Sequence, residues 1–281
     1  MSYYQFEQNI LRDIEKAAMW IEDADEIFIG AGAGMGVDSG LPDFRGSDGF
    51  WKAYPALGKS KISFAAMANP GWFELNPRQA WGFYGHRLNM YREAQPHAGF
   101  ELLKYWVASK RDYMIYTSNV DGQFQKSGFP EMKVVECHGS IHHLQCTLPC
   151  STDIWTATEL DLVIDSETVK LISPIPRCPN CGRYARPNIC MFNDEKWISD
   201  RTSEQEELMG EFIRGTKNLV SIEIGAGIYI ASVRQQMGNY GSKLIRINPV
   251  HHGVEKHRGL GVGLPFGGLE GLCKIERVLR R

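Results

Sequence analysis

The chain lacks any uninterrupted apolar run of about 18 residues, the length that spans a bilayer as a helix, and it lacks a basic-then-apolar leader. An excess of charge of one sign is missing too. The 31 basic and 33 acidic residues leave a net −2, which gives no electrostatic footprint for nucleic acid or an anionic membrane. The seven cysteines are odd in number and come without a leader, which argues against a disulfide framework. Internal repeats and low-complexity segments are absent as well. Together these absences predict a soluble, unexported, cytoplasmic protein with neither nucleic acid nor membrane as partner. A length of 281 residues with 43% hydrophobic content suffices for one large domain, or for a domain carrying a module.

What is present centres on one stretch. Ile27-Phe28-Ile29 is a short apolar run of the kind that makes a buried parallel strand. Gly30, Gly32, Gly34 and Gly36 follow at every second position. With side chains nearly absent, a phosphate can approach the backbone N–H groups. A strand, a glycine turn and a helix start form a dinucleotide site, with the pyrophosphate at the helix N-terminus. A tight strand–helix turn without a ligand would give the same G-x-G spacing. The residues past the turn are more particular. Asp38-Ser39-Gly40-Leu41-Pro42-Asp43-Phe44-Arg45 brings a proline, a carboxylate, an aromatic and a guanidinium where an ordinary Rossmann helix would continue with apolar packing residues.

GAGMGVDSGLPDFRG resembles the signature of the sirtuins, the NAD-dependent protein deacylases, in a divergent bacterial-type form. The resemblance implies that Gly32, Ala33, Gly34, Asp43, Phe44 and Arg45 bind NAD, with Arg45 near the nicotinamide-side ribose and Phe44 shielding the intermediate. Gly36 departs from the family pattern, which has Ser or Thr there, and so removes one hydroxyl donor near the phosphates.

Further motifs follow in the family's order. Tyr113-Met114-Ile115-Tyr116 reads as a strand, with Thr117-Ser118-Asn119-Val120-Asp121 at its C-terminal end, where open parallel sheets bind ligands. Asn and Asp in that place can also be plain turn formers. The sirtuin counterpart is T-Q-N-hydrophobe-D, so the resemblance assigns Asn119 and Asp121 to nicotinamide and its ribose, with Ser118 in place of the family's Gln. Cys137-His138-Gly139-Ser140 follows a strand at 133–136. An imidazole titrates near neutral pH and can take a proton from a ribose hydroxyl, and the family's H-G-S histidine is the general base. His142 and His143 are rivals for that role or for a metal. Gly225-Ala226-Gly227 follows a strand at 219–224 where the family has G-T-S around the NAD phosphates. Asn248 follows a strand at 243–247 where the family's Asn meets the adenine-side ribose.

Phe83-Tyr84-Gly85-His86-Arg87 lies in a helical stretch at 78–92, so Tyr84 and Arg87 share a face. It resembles the Tyr-x-x-Arg by which some sirtuins bind acidic acyl groups such as succinyl. A guanidinium and a phenol can clamp a carboxylate in an apolar tunnel, while a surface Arg beside a packed Tyr is the plainer alternative. Residues 46–77, rich in Gly, Pro, Ser and aromatics, read as a flap over the cofactor or an irregular packed excursion. The segment around Met191 and Phe192 stands where sirtuins pair with the substrate backbone as an added strand, although Asn193-Asp194 replaces the family's ending.

Cys146-x3-Cys150 and Cys178-x2-Cys181, with Pro149, Pro179 and Gly182 beside them, have the spacing of two zinc knuckles. Four thiolates leave no open position, so one structural rather than catalytic zinc is expected. Residues 160–172 between the pairs read as a small hairpin.

The expected fold is α/β: a Rossmann-like parallel sheet with helices on both faces, plus a smaller domain made of a zinc-ribbon module and a helical flap. The NAD-binding domain would comprise 1–45, 96–140 and 191–281, the flap 46–95 and the zinc module 141–190. Residues 261–268 are expected to be a loop. The resemblance implies removal of acyl groups from lysines of a protein or peptide substrate, releasing nicotinamide and O-acyl-ADP-ribose. Because Gly36, Ser118 and Ala226 depart from the deacylase pattern near NAD, ADP-ribosyl transfer to protein stays open, as does a non-catalytic NAD-sensing module.

Overall fold

The computed structural model describes residues 3–42, 54–55, 58, 61–240, 242–255, 257 and 259–281. In chain order its strands are β1 (Glu26–Ala31), β2 (Asp112–Thr117), β3 (Val134–Glu136), β4 (Gly139–Cys146), β5 (Trp155–Thr156), β6 (Ile164–Asp165), β7 (Lys170–Leu171), β8 (Ala185–Ile189), β9 (Leu219–Ile224), β10 (Lys243–Ile247) and β11 (Leu260–Leu264). The longer helices are α1 (Tyr3–Asp23), α2 (Pro77–Glu93), α3 (Ala98–Ala108), α4 (Asp200–Gly215), α5 (Ser232–Asn239) and α6 (Gly268–Leu279). Among the described residues no helix is long and apolar enough to cross a membrane.

β1, β2, β3, β9, β10 and β11 form one parallel sheet in the order β11-β10-β9-β1-β2-β3. Every residue of β1 and β9 is buried, as a strand covered on both faces requires. On one face Ile27, Ile29, Ile222 and Ile245 pack against Ile14 and Ile21 of α1, Leu103 of α3 and Ile275 of α6. On the other, Phe28, Met114 and Leu244 meet Met209 and Phe212 of α4 and Met237 of α5. Each fully buried aliphatic or aromatic side chain contributes roughly 1.5–3 kcal/mol. The chain runs outward from β1 to β3, returns to place β9 beside β1, and then continues to β11. This is the doubly wound order, whose ligand crevice opens at the C-terminal ends of the strands where the direction reverses.

A second core joins α2 to β4–β8. Trp81, Phe83, Tyr84 and Leu88 pack with Ile141, Leu144, Leu171 and Ile189. α2 starts at Pro77 after the Asn76 cap, whose side chain accepts from the Gln79 N–H at 3.3 Å. Its side chains then tie it down: Trp81 Nε1 donates to the Ala185 carbonyl at 2.9 Å, Gln79 Nε2 to Val169 at 2.9 Å and Asn89 Nδ2 to Leu162 at 2.8 Å. The β6–β7 hairpin falls inside the expected 160–172 stretch. The loop expected at 261–268 is instead largely the edge strand β11, paired with β10 from Leu260 to Leu264. Its glycine-rich LGVGL hides the usual strand signature, and the register with β10 supplies the order that its side chains do not.

Candidate active site

A cavity of about 730 Å³ lies where the two cores meet at the C-terminal end of the sheet. Ala33 and Leu41 from the loop after β1, Ser118 to Asp121 after β2, His138 after β3, and Gly227 and Tyr229 after β9 form one side. Tyr84, Arg87 and Tyr91 from α2, with Ile189 to Phe192 from the end of β8, form the other.

The glycine loop does not lead into an α-helix. Two short 3-10 turns, Ala33–Met35 and Val37–Ser39, follow β1 instead. The Gly32 N–H donates to Ile224 O at 2.9 Å and the Gly34 N–H to Gly225 O at 3.1 Å. A Cβ on Gly32 would lie 2.7 Å from the Ala226 backbone. Gly225, at φ +62°, presents its bare Cα to Gly34, where a Cβ would lie 2.5 Å away. The missing side chains thus let two loops touch across the switch point. The Gly32 and Gly34 N–H groups, expected to face a phosphate, are hydrogen-bonded across these loops. His97 pins the same loop, with Nε2 hydrogen-bonded to Met35 O at 2.8 Å and Nδ1 accepting from Gly99 N at 3.0 Å as the cap of α3. Asp43, Phe44 and Arg45 lie outside the described residues, as do residues 46–53, 56–57 and 59–60 of the expected flap.

Asn119 is fixed by its Nδ2 donating to Gly32 O at 3.1 Å, and Asp121 by its carboxylate accepting from Gln123 N at 2.9 Å. Burial pushes the Asp121 carboxyl up to about 6, against the Gln123 N–H and the Arg87 charge, which pull it down. Burial lowers the pKa of His138, and a hydrogen bond to the Ser118 carbonyl opposes that. The rivals for the base role sit elsewhere. His142 Nε2 is hydrogen-bonded to Asp121 O at 2.9 Å, and His143 pairs across to β5, its pKa pushed down to about 4 by burial and then by Arg201.

At the other end of the cavity Tyr84 and Arg87 are both buried, which removes the surface-Arg alternative. Arg87 Nε and Nη2 donate to the Tyr91 hydroxyl at 3.1 and 2.7 Å. Met191 and Phe192 line the cavity, but the edge expected to pair with substrate is already bonded. The N–H groups of Cys190, Met191 and Phe192 donate to His138 O, Asp194 Oδ2 and Ala68 O. The Met191 bond depends on Asp194, drawn inward by a bidentate pair with Arg186 at 2.6 and 2.9 Å. Gly225, Ala226 and Asn248 are not among the residues lining the cavity. Asn248 is buried, donating to Ala226 O at 3.0 Å and accepting from the N–H groups of Val250 and His251. Away from the cavity, one ligand atom from each of Cys146, Cys150, Cys178 and Cys181 falls within 4.8 Å of the others.

The model of the Sir2 family matches residues 32–213. The chain belongs to the Sir2 family. An NAD-dependent protein deacylase 1 of Caldanaerobacter subterraneus subsp. tengcongensis is 31% identical over 177 residues, which span 63% of this chain and 64% of that protein. An NAD-dependent protein deacylase of Aquifex aeolicus is 30% identical over 193 residues, 67% of this chain and 72% of that one. The crystal structure of a Sir2 homolog–NAD complex superposes with a TM-score of 0.67 at 22% identity, covering 95% of this chain and 94% of that one, a likeness of fold.

Two parts of this Sir2 site escaped the sequence reading. Tyr91 lies four residues after Arg87, an i,i+4 spacing that could have revealed it. Ser232, whose hydroxyl lies 3.3 Å from His138 Nε2, starts a helix with too few apolar positions to give a signal.

Proposed function

We propose that this protein removes acyl groups from lysine side chains of proteins, consuming NAD and releasing nicotinamide and O-acyl-ADP-ribose. The observation that carries the reading is one cavity holding His138, Asn119 and Asp121 at its sheet end and the apolar α2–β8 wall at the other. Membership of a family whose relatives include NAD-dependent protein deacylases supports it.

The residues fit a dinucleotide: loops after β1, β2, β3 and β9 converge at the switch point, with amide, carboxylate and imidazole groups on one wall. When bound, NAD supplies the ribose carbon that the acyl oxygen attacks and the nicotinamide that leaves. Asn119, tied to Gly32 O, and Asp121, tied to Gln123 N, hold amide and carboxylate groups in fixed directions at that end. His138 is kept neutral by burial and is therefore able to accept a proton at neutral pH. The apolar wall would take the acyl chain and the lysine stem, and water would be excluded as they enter. Burial of the Arg87 guanidinium against Tyr84 and Tyr91 favours acyl groups ending in a carboxylate.

The cysteine cluster fits zinc. Zn–S bonds of about 2.3 Å in a tetrahedron place sulfurs about 3.8 Å apart, and Cys146–Cys181 and Cys150–Cys178 each stand at 3.7 Å. With four thiolates the ion would be structural, cross-linking β4 to the turn before β8.

The test is a panel of acetyl-, succinyl- and long-chain-acylated peptides incubated with NAD and read by mass spectrometry. Lysine release coupled to O-acyl-ADP-ribose supports the reading. Labelling of protein by ADP-ribose without deacylation would replace it with the transferase alternative.

A further inference from the structure

The hydroxyl of Ser232 lies 3.3 Å from Nε2 of His138. Ser232 is the first residue of α5. Val233 and Met237 of that helix are buried in the core on the α4 side of the sheet. Packing, rather than a loose loop, therefore holds the hydroxyl over the ring. A serine hydroxyl can donate to a lone-pair Nε2 or accept from an Nε2–H, so the contact holds the ring in either tautomer.

We propose that Ser232 is a positioning residue for His138, its hydroxyl fixing the rotation of the ring until a substrate hydroxyl takes its place at Nε2. This rests on His138 being the general base. A general base must present its lone pair, not an N–H, to the proton it removes. In water a free imidazole exchanges between tautomers and rotates about its side-chain bonds. A hydroxyl facing Nε2 holds the ring's rotation before substrate arrives. The hydroxyl suits the protonated ring as well, because its oxygen can accept from an Nε2–H once the proton has moved. A second role, as a nucleophile activated by the histidine, fits less well. Among the described residues the cavity wall includes His138 but not Ser232, so a carbonyl group in the cavity meets the imidazole first.

The test uses the whole chain with ¹⁵N-labelled histidine, in wild type, Ser232→Ala and Ser232→Thr. Nitrogen spectra at pH about 8, where a ring lowered by burial is neutral, report hydrogen bonding at Nε2 of His138 without requiring turnover. The wild type and Ser232→Thr should show a hydrogen-bonded Nε2. Ser232→Ala should show loss of that bond. Deacylation kcat should fall by about two- to tenfold in Ser232→Ala, the scale of one neutral hydrogen bond, with KM for NAD little changed and with recovery in Ser232→Thr. Identical His138 spectra in wild type and Ser232→Ala would overturn the proposal. So would a changed spectrum with an unchanged kcat. If the wild type shows no deacylation at all, the functional reading fails, and the spectra still decide whether Ser232 holds Nε2.

Discussion

Replacing Arg87 by Met separates a carboxylate-binding role from a packing role. The residue is 7% exposed. Its guanidinium carbon lies 6.0, 5.3, 5.9 and 5.4 Å from the ring centres of Phe64, Phe83, Tyr84 and Tyr91. In so dry a setting a charge is screened far less than on a surface. A hydrogen bond to a charged group contributes ~1.5–3 kcal/mol, and each ~1.4 kcal/mol is tenfold. A succinyl chain should therefore gain about ten- to a hundredfold over acetyl in kcat/KM. Methionine keeps the apolar stem and removes the donors. The assay compares initial rates of desuccinylation and deacetylation of one peptide sequence at saturating NAD. Desuccinylation should fall by about ten- to a hundredfold, mainly through KM, because the lost contact is made by the bound substrate. Deacetylation should hold or improve, since an apolar chain no longer covers a guanidinium. Arg87 also pulls the Asp121 carboxyl down. Its removal pushes that group further above about 6, so the comparison belongs at pH about 8, where the carboxylate stays charged. Equal loss on both substrates refutes the reasoning and makes Arg87 a packing residue.

Three more predictions concern the base, the buried acid and the metal. His138→Ala should lower deacylation by at least ~10²-fold while NAD still binds, as checked by calorimetry alongside turnover; near-full turnover would remove His138 from the mechanism. Burial raises Asp121 to about 6 and lowers His138 from the ordinary imidazole value. The acid limb of kcat/KM should then lie near 6 and belong to Asp121; Asp121→Asn should lower the plateau and move the limb down, and a limb left in place assigns it to another group. Purified protein should carry about one zinc per chain, and Cys178→Ser should reduce folded yield as well as turnover; a fully folded, zinc-free protein in metal analysis would refute that role.

Strands legible in the sequence were those whose physics is local. Ile27-Phe28-Ile29 is buried on both faces, and its continuous apolar run says so directly; in Leu219 to Ile224 the apolar residues instead alternate with Ser221 and Glu223, a period-2 pattern. β11 was not legible, because Gly261 and Gly263 alternate with its apolar residues and its place is set by pairing with β10. α5 escaped for a related reason: only Val233 and Met237 are buried, too few for a helical stripe. In the site, the cysteine pairs and His138 could be read from spacing and chemistry. The bonds that occupy the Met191–Phe192 edge could not, since one depends on Asp194 meeting Arg186 across a turn and the other on Ala68, far away in sequence.

The glycine loop shows how a pattern can mark the right place for an incomplete reason. Alternating glycines were read as room for a phosphate, whereas Gly32 and Gly225 make room for each other's loops. Both uses need a bare Cα, so the sequence alone does not separate them. The difference matters for the departures from the family pattern. Ala226 replaces a threonine, but its methyl is 1% exposed and its carbonyl takes the Asn248 amide. A hydroxyl added there would need a partner inside the packed junction of the β9 and β10 ends, or would cost about 1–3 kcal/mol. Alanine at 226 is therefore what this junction's packing favours. Ser118, by contrast, lines the cavity itself, as does Gly36, the third departure. Those two positions, and not Ala226, are in direct reach of the chemistry.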